Sequence, residues 1–250
     1  NSVAGNTVLG ESALDASVTG GDNTAIGNSA LTALTSGTNN VAVGHDALYA
    51  NTTGANNIAL GSYAGYGITT ASNVVAIGRN VFNTTTTGDN NVAIGNSACN
   101  ANTTGTNLVA IGHNALVANT TGATNTAVGA NALDANTTGS AHVAVGHHAL
   151  SANTTGAQNT AVGIYALEST TTGSYNTSTG KSALAGNTTG ANNTGVGYHA
   201  LRTSTTASNN VAFGKSALEL NTTGANNTAV GANALDANTT ASNSVAIGYK

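Results

Sequence analysis

The stretch TAVGANALDANTTGSAH at residues 126–142 is followed at once by VAVGHHALSANTTGAQN at residues 143–159, and the two align without a gap. In each, a short apolar run closes on a glycine, and an Asn-Thr-Thr-Gly segment follows. The first such glycine, Gly129, has a counterpart at every seventeenth residue: Gly10, Gly27, Gly44, Gly61, Gly78, Gly95, Gly112, Gly146, Gly163, Gly180, Gly197, Gly214, Gly231 and Gly248. A seventeen-residue unit is too short for two helices and their turns, and Asn, Thr and Gly disfavour helix. The period therefore predicts one coil of a β-solenoid.

The predicted fold class is all-β, a parallel β-solenoid of about fourteen 17-residue coils. We expect residues 1–250 to form a single repetitive domain. Because the chain begins and ends inside the repeat, we also expect it to be a fragment of a longer protein. We number the positions of a coil 1 to 17 in the order of residues 126–142, so that the anchor glycine is position 4.

Aligned coils indicate which positions face inward. Position 3, just before the anchor, is aliphatic in nearly every coil, and position 8 is Leu in eleven of fourteen, so both predict core. Position 7 is Ala in thirteen of fourteen coils and position 2 holds small residues, which indicates close approach of backbone or of a neighbouring chain. Position 14 is Gly in most coils, which predicts a corner with positive φ.

The composition limits the classes of function. Charged residues make up 6% and hydrophobic residues 40%, the reverse of a disordered chain. The net charge of −4 offers no basic surface for nucleic acid, and no apolar run is long enough to span a membrane. The single cysteine, Cys99, allows no disulfide framework and falls in the Leu column, which predicts a small buried hydrophobe.

No arrangement of residues indicates catalysis, so we expect a protein that is not an enzyme and needs no cofactor. His45, His113 and His147 share one position, but they lie two or four coils apart, roughly 10 Å or more. Metal–nitrogen bonds are about 2 Å long, so no metal site is predicted. Carboxylates that share a position, such as Asp134 and Asp236, are also too far apart for paired acid–base chemistry.

Formal charges are confined to one edge of the coil. Twelve of the fourteen fall at positions 5, 6 and 9, which predicts a solvated edge and leaves the other sides nearly free of charge. On these charge-free sides, the Asn and Thr columns either hydrogen-bond among themselves or form a flat face that contacts sister chains, glycans or ice.

The Asn-Thr-Thr segment supplies the candidate binding residues. Two neighbouring Thr in an extended segment point to opposite faces, so one Thr column is expected to face outward. The predicted outward ladder comprises Thr104, Thr121, Thr138, Thr155, Asn102, Asn119, Asn136 and Asn153. The same Asn residues begin glycosylation sequons, which the repeat itself generates.

Two segments carry a resemblance to known families. NSVAIG at residues 243–248, echoed by NVAIG at 91–95, resembles the head repeats of trimeric autotransporter adhesins. ALVANTTG at residues 115–122 is similar to repeats of phage tail fibres and bacterial surface proteins that carry an endosialidase-type chaperone. The resemblance implies a left-handed parallel β-roll, association into a homotrimer and contact with a cell surface.

The expected role is therefore an extracellular or virion fibre segment, from a surface adhesin or tail fibre, that serves as a rigid spacer and contact surface. Its partners would be copies of itself and a cell-surface glycan or protein receptor. One alternative is an ice-binding β-solenoid, since the Thr and Asn ladders resemble those of plant antifreeze β-rolls. A second alternative is a subunit that polymerises end to end into a filament.

Overall fold

The structure, a computed structural model, describes residues 3–85 and 87–249. These residues form fifteen three-residue strands and no helix, which confirms an all-β parallel β-solenoid with a 17-residue coil. Its handedness stays a prediction. The strands, β1 to β15 in chain order, are Thr7–Leu9, Thr24–Ile26, Val41–Val43, Ile58–Leu60, Val75–Ile77, Val92–Ile94, Val109–Ile111, Thr126–Val128, Val143–Val145, Thr160–Val162, Thr177–Thr179, Thr194–Val196, Val211–Phe213, Thr228–Val230 and Val245–Ile247.

The chain divides into two compact units, Asn1–Thr124 and Asn125–Lys250. In the first unit β1 to β7 pair in chain order as parallel strands, for example with Ala42 opposite Ala59. In the second unit β8 to β15 pair in the same way, for example with Ala212 opposite Ala229. Each coil places its residues in register with the next, so side chains seventeen residues apart form columns.

The anchor glycine begins the turn that follows each strand. At Gly129 φ is 137°, and a Cβ there would lie 2.5 Å from the carbonyl oxygen of Gly146 in the next coil. Both the backbone conformation and the close approach of the next coil therefore require glycine. This pair of constraints explains why the anchor recurs without exception in the fifteen repeats.

The Leu of position 8 adopts positive φ, which could not be predicted from the residue type. Leu133 has φ of 55° and Leu150 the same value, although a bulky residue seldom adopts the left-handed region. Two compensations hold the conformation: the Leu133 N–H donates to the Ala149 carbonyl at 3.0 Å, and the side chain is fully buried. The Leu column is thus the main apolar ladder of the core, as predicted, and the position-7 Ala column beside it is also buried.

A buried asparagine column at position 17 provides the polar half of the core. The Asn193 backbone N–H donates to Asn176 Oδ1 at 3.0 Å, and its side-chain amide donates to the Ala207 carbonyl at 2.8 Å. The same pattern recurs one coil later, where Asn210 donates to Asn193 Oδ1 at 3.0 Å. Because each amide is bonded to the coil before and the coil after, burial leaves no polar atom of the ladder unpaired there.

The prediction of positive φ at position 14 is wrong. Gly173 and its equivalents lie outside the left-handed region, which is instead occupied at position 16, as at Asn192 with φ of 58°. A Cβ at Gly173 would meet the carbonyl oxygen of Gly190 and approach the Asn187 amide. Glycine is therefore favoured at position 14 by lack of space, and Ala is accommodated in the coils of Ala71, Ala207 and Ala241.

Candidate functional site: the strand face and the outward ladders

The four predicted Thr of the binding ladder are exposed. Thr104, Thr121, Thr138 and Thr155 all occupy position 13, the second Thr of the Asn-Thr-Thr segment. Their outward orientation is confirmed, whereas a role in binding stays a prediction. Position 13 is also exposed in the other described coils, at Thr19, Ser36, Thr53, Thr70, Thr87, Thr172, Thr189, Thr206, Thr223 and Thr240.

The outward orientation predicted for the four Asn is wrong. Asn102, Asn119, Asn136 and Asn153 are completely buried. Within its coil, the Asn136 amide donates to the Gly139 carbonyl at 3.0 Å, and the Asn153 amide donates to Asn136 Oδ1 at 2.9 Å. These side chains close the corner of the coil from inside, so they cannot contact a ligand, and the sequons that they begin are internal.

The first Thr of the segment, at position 12, is half-buried and already engaged. Thr137 Oγ1 donates to the Thr154 carbonyl at 3.0 Å, and Thr154 Oγ1 donates to the Thr171 carbonyl at 3.2 Å. The two adjacent Thr columns therefore have different roles, since one ties neighbouring coils together and the other meets solvent.

The largest feature that sequence reasoning missed is an exposed aliphatic face on the strands. Position 3, predicted as core, points outward together with position 1, and only the Ala of position 2 between them is buried. Ile58 and Leu60 of β4 are 40% and 37% exposed, and Phe213 of β13 is 47% exposed. The alternation large-small-large within each strand was the available signal, because a period of two places the Ala on one face and both large residues on the other.

This strand face has a simple chemistry in both units. Its two columns hold Val, Ile, Thr, Leu and Phe213 and no ionisable residue. Contiguous exposed apolar surface is the kind of surface through which proteins commonly contact partners. Parallel strands stacked in register give it a regular, repeating texture.

Most ring and charged side chains lie at positions 5, 6 and 9, in the turns that follow the anchor glycine. We call this surface the edge strip. All the ring contacts of the described residues fall on it, among them Tyr198 with His199 at 3.7 Å between centroids. Arg202 Nε lies 3.0 Å from Glu219 Oε1, which His199 Nδ1 also approaches at 3.3 Å. The edge strip therefore carries nearly all the chemical variety of the chain.

Two further groups, Cys99 and His142, bear on possible chemistry. Burial raises the pKa of the Cys99 thiol far above its ordinary range, and the residue is fully buried, as predicted. Burial also lowers the pKa of His142, which replaces an Asn in the position-17 ladder. Its Nε2 lies 2.7 Å from the Gly156 carbonyl, and its Nδ1 accepts from the Asn159 N–H at 3.2 Å. An imidazole protonated at Nε2 thus reproduces the donor and acceptor of the asparagine it replaces.

In the described ranges 3–85 and 87–249, no group of three His, Cys, Asp or Glu could hold a metal ion. Nor do these ranges contain a helix able to cross a lipid bilayer. No protein-family model and no curated protein matches the chain.

Proposed function

We propose that this chain is a segment of an extracellular or virion fibre, of the surface-adhesin or tail-fibre type, that associates side by side with copies of itself into a homotrimer. In this role it serves as a rigid spacer and presents a contact surface to a cell. The single observation that carries the proposal is the charge-free aliphatic face formed by positions 1 and 3 of the strands.

The apolar and repeating character of this face favours copies of the same chain as its partners. Val, Ile and Leu side chains that are more than a third exposed gain free energy when they are covered, at roughly 25 cal/mol per Å² of apolar surface. The texture of the face repeats with every coil, so the surface that fits it best along its length has the same repeat. A second and third copy of this chain supply that repeat.

A pair of substitutions tests the association. Ile58→Lys with Leu60→Lys places two ammonium groups on the exposed face of β4 and leaves the buried Ala59 unchanged. Sedimentation equilibrium at micromolar concentration is expected to give three times the 24.1 kDa chain mass for the native protein. The lysine pair should shift it towards the single-chain mass, because burying the charges against an apolar partner costs more than the association gains.

The matched control is Thr53→Lys, which adds a charge to the exposed position-13 row away from the strands. It is expected to leave the association unchanged. A native protein that sediments as a monomer, or a trimer that tolerates the lysine pair, would remove the proposal.

A second candidate function, ice binding, is favoured by one observation. The exposed hydroxyls of position 13 form an unbroken row in each unit, and no charge interrupts it. The row is single, because the neighbouring Thr of position 12 donates its hydroxyl to a backbone carbonyl. A thermal-hysteresis assay with observation of crystal shape decides this candidate, and crystals that grow unshaped at millimolar protein would dispose of it.

A further inference from the structure

Four aromatic rings of the edge strip form one contiguous cluster in the first unit. The rings of Tyr49 and Tyr66 are stacked, with centroids 5.2 Å apart and planes 7° from parallel. Tyr63 lies 5.8 Å from Tyr66 and 5.2 Å from His45, whose ring meets it edge-on. Asp46, which pairs with His45, and Arg79, on the following coil, complete a set that we call the tyrosine patch: His45, Asp46, Tyr49, Tyr63, Tyr66 and Arg79.

Backbone pairing between coils fixes the positions of these side chains. The Tyr63 N–H donates to the His45 carbonyl at 2.9 Å, and the Ala50 N–H donates to the Tyr66 carbonyl at 3.2 Å. The Asn80 N–H donates in turn to the Ser62 carbonyl at 3.2 Å, which places Arg79 on the following coil. The patch therefore spans three successive coils on a rigid framework.

The polar groups of the patch are largely unused by the protein. Within the described ranges, the hydroxyls of Tyr49, Tyr63 and Tyr66 make no hydrogen bond, and the Arg79 guanidinium has no ion-pair partner. Asp46 Oδ2 lies 3.2 Å from His45 Nδ1, and the Asp46 side chain, 16% exposed, is only partly open to solvent. Three phenol hydroxyls and one guanidinium of the tyrosine patch are therefore available to bond a ligand.

The coil that carries Tyr63 and Tyr66 departs from the repeat in its core as well. Gly65 replaces the position-8 Leu, and Ile68 replaces the position-11 Asn. A Cβ at Gly65 would lie 2.9 Å from Leu48 Cδ2 and 3.1 Å from Ile68 Cδ1, so Ile68 occupies the space that the leucine would fill. Folding does not require this exchange, since half of the fourteen coils keep both Leu and Asn.

We propose that the tyrosine patch binds a neutral saccharide chain. Tyr rings offer an apolar surface to the C–H faces of sugar rings, and their hydroxyls together with Asp46 and Arg79 can bond the sugar hydroxyls. The formal charges of Asp46 and Arg79 cancel, which disfavours a polyanion. Rings that follow one another from coil to coil suit a ligand of repeating units. The inference rests on the proposed role as a contact surface and names the ligand of that surface.

Affinity electrophoresis of the 250-residue chain tests the inference. Native gels contain dextran, mannan or galactan as neutral probes, and polygalacturonate or dextran sulfate as anionic ones. We expect at least one neutral gel to retard the protein. Tyr49→Ala with Tyr66→Ala should weaken that binding by about tenfold or more, as expected when central aromatic contacts are removed.

Two controls separate binding from folding. Tyr175→Ala removes an exposed tyrosine outside the edge strip, at position 16, and should leave retardation unchanged. Tyr49→Phe with Tyr66→Phe keeps the rings and should retain most of the binding, and circular dichroism of every variant verifies the fold.

The inference is overturned if no neutral gel retards the protein, if only anionic gels do, or if the alanine pair binds as well as the native chain. Sedimentation of the same variants should still give the trimer. Loss of saccharide binding and loss of the fibre assembly are therefore separate results.

Discussion

At the scale of the residue, the polar core depends on identical side chains in successive coils. Where two successive coils both carry Asn at position 11, the later amide donates to Oδ1 of the earlier one, as Asn153 does to Asn136. Where the next coil carries Thr or Ser instead, the acceptor is orphaned. The Oδ1 atoms of Asn153 and Asn187 are buried without a partner, and the coils that follow them hold Thr170 and Ser204 at this position.

Restoring the ladder should stabilise the protein. Thr170→Asn supplies an amide donor to Asn153 Oδ1, and Ser204→Asn supplies one to Asn187 Oδ1. Because an unsatisfied buried acceptor costs about 1–3 kcal/mol, each substitution is expected to raise the free energy of unfolding by about 1 kcal/mol or more. Urea denaturation measures the change. Thr170→Val, similar in size but without a donor, serves as the control and should not stabilise.

His142 should make stability depend on pH. Burial lowers the pKa of this imidazole below its ordinary value of 6.5, so the folded chain binds the proton more weakly than the unfolded chain. The stability present above pH 6.5 is therefore expected to fall as the pH drops below that value. Thermal melts at pH 7.5 and pH 5 measure this loss, and His142→Asn should make it smaller. An unchanged pH dependence in the variant would contradict the assignment.

At the scale of the element, each coil is one three-residue strand followed by a series of turns, and many of its backbone hydrogen bonds go to neighbouring coils. The position-15 N–H finds its acceptor on a side chain: the Ala157 N–H donates to Ser174 Oγ at 3.0 Å, and the Ala191 N–H donates to Ser208 Oγ at 3.1 Å. Ala and Ser alternate at position 15 through the second unit, so a coil with Ala there is bonded to the coil with Ser that follows it. The repeat is thus thirty-four residues long at this one position and seventeen at the others.

Glycines of positions 4 and 14 should differ in their tolerance of a methyl group. Gly163→Ala places a Cβ 2.6 Å from the Gly180 carbonyl at a φ of 136°, a clash with backbone in a strained conformation. Gly173→Ala also brings a Cβ against a backbone carbonyl, that of Gly190, but its φ lies outside the left-handed region, and other coils accommodate Ala at this position. We expect Gly163→Ala to cost several kcal/mol, at least about 2 kcal/mol more than Gly173→Ala, by the same denaturation measurement. Equal losses would mean that φ does not distinguish the two sites.

At the scale of the whole molecule, different columns of the coil have different structural roles. Positions 2, 7, 8, 11 and 17 build the core, positions 1 and 3 form the strand face, and positions 5, 6 and 9 form the edge strip. Since each coil contacts mainly its neighbours, stability within a unit is a sum of local terms. One column can therefore vary without disturbing the others, which is how the edge strip holds its rings and charges.

Removal of one complete coil should preserve the fold. Deleting residues 143–159 joins position 17 of one coil to position 1 of another and keeps every column in the second unit in register. The variant is expected to keep the β-sheet circular dichroism signal and a cooperative melt, with a modest loss of stability. Deleting residues 143–150 instead shifts all later columns by eight positions and should abolish cooperative folding of that unit. Similar melts for both deletions would contradict a register-dependent core.

The amino-acid sequence by itself determined the 17-residue coil, the parallel all-β fold, the Leu and Ala core columns and the confinement of charge to one edge. These features depend on which residue recurs at which interval, and the recurrence is visible without coordinates. Only the tertiary structure decided which face of the strand is inside: Ala127 is buried, while the larger Thr126 and Val128 are partly exposed. The interior is already filled by Leu133 and two Asn ladders, so it admits only a small side chain at this point of the strand. Hydrophobicity alone therefore pointed to position 3 as core, which is wrong. Asn136 is polar and precedes a Thr-Thr pair, yet it lies inside. Its side-chain amide is needed there as a donor to the Gly139 carbonyl of its own turn.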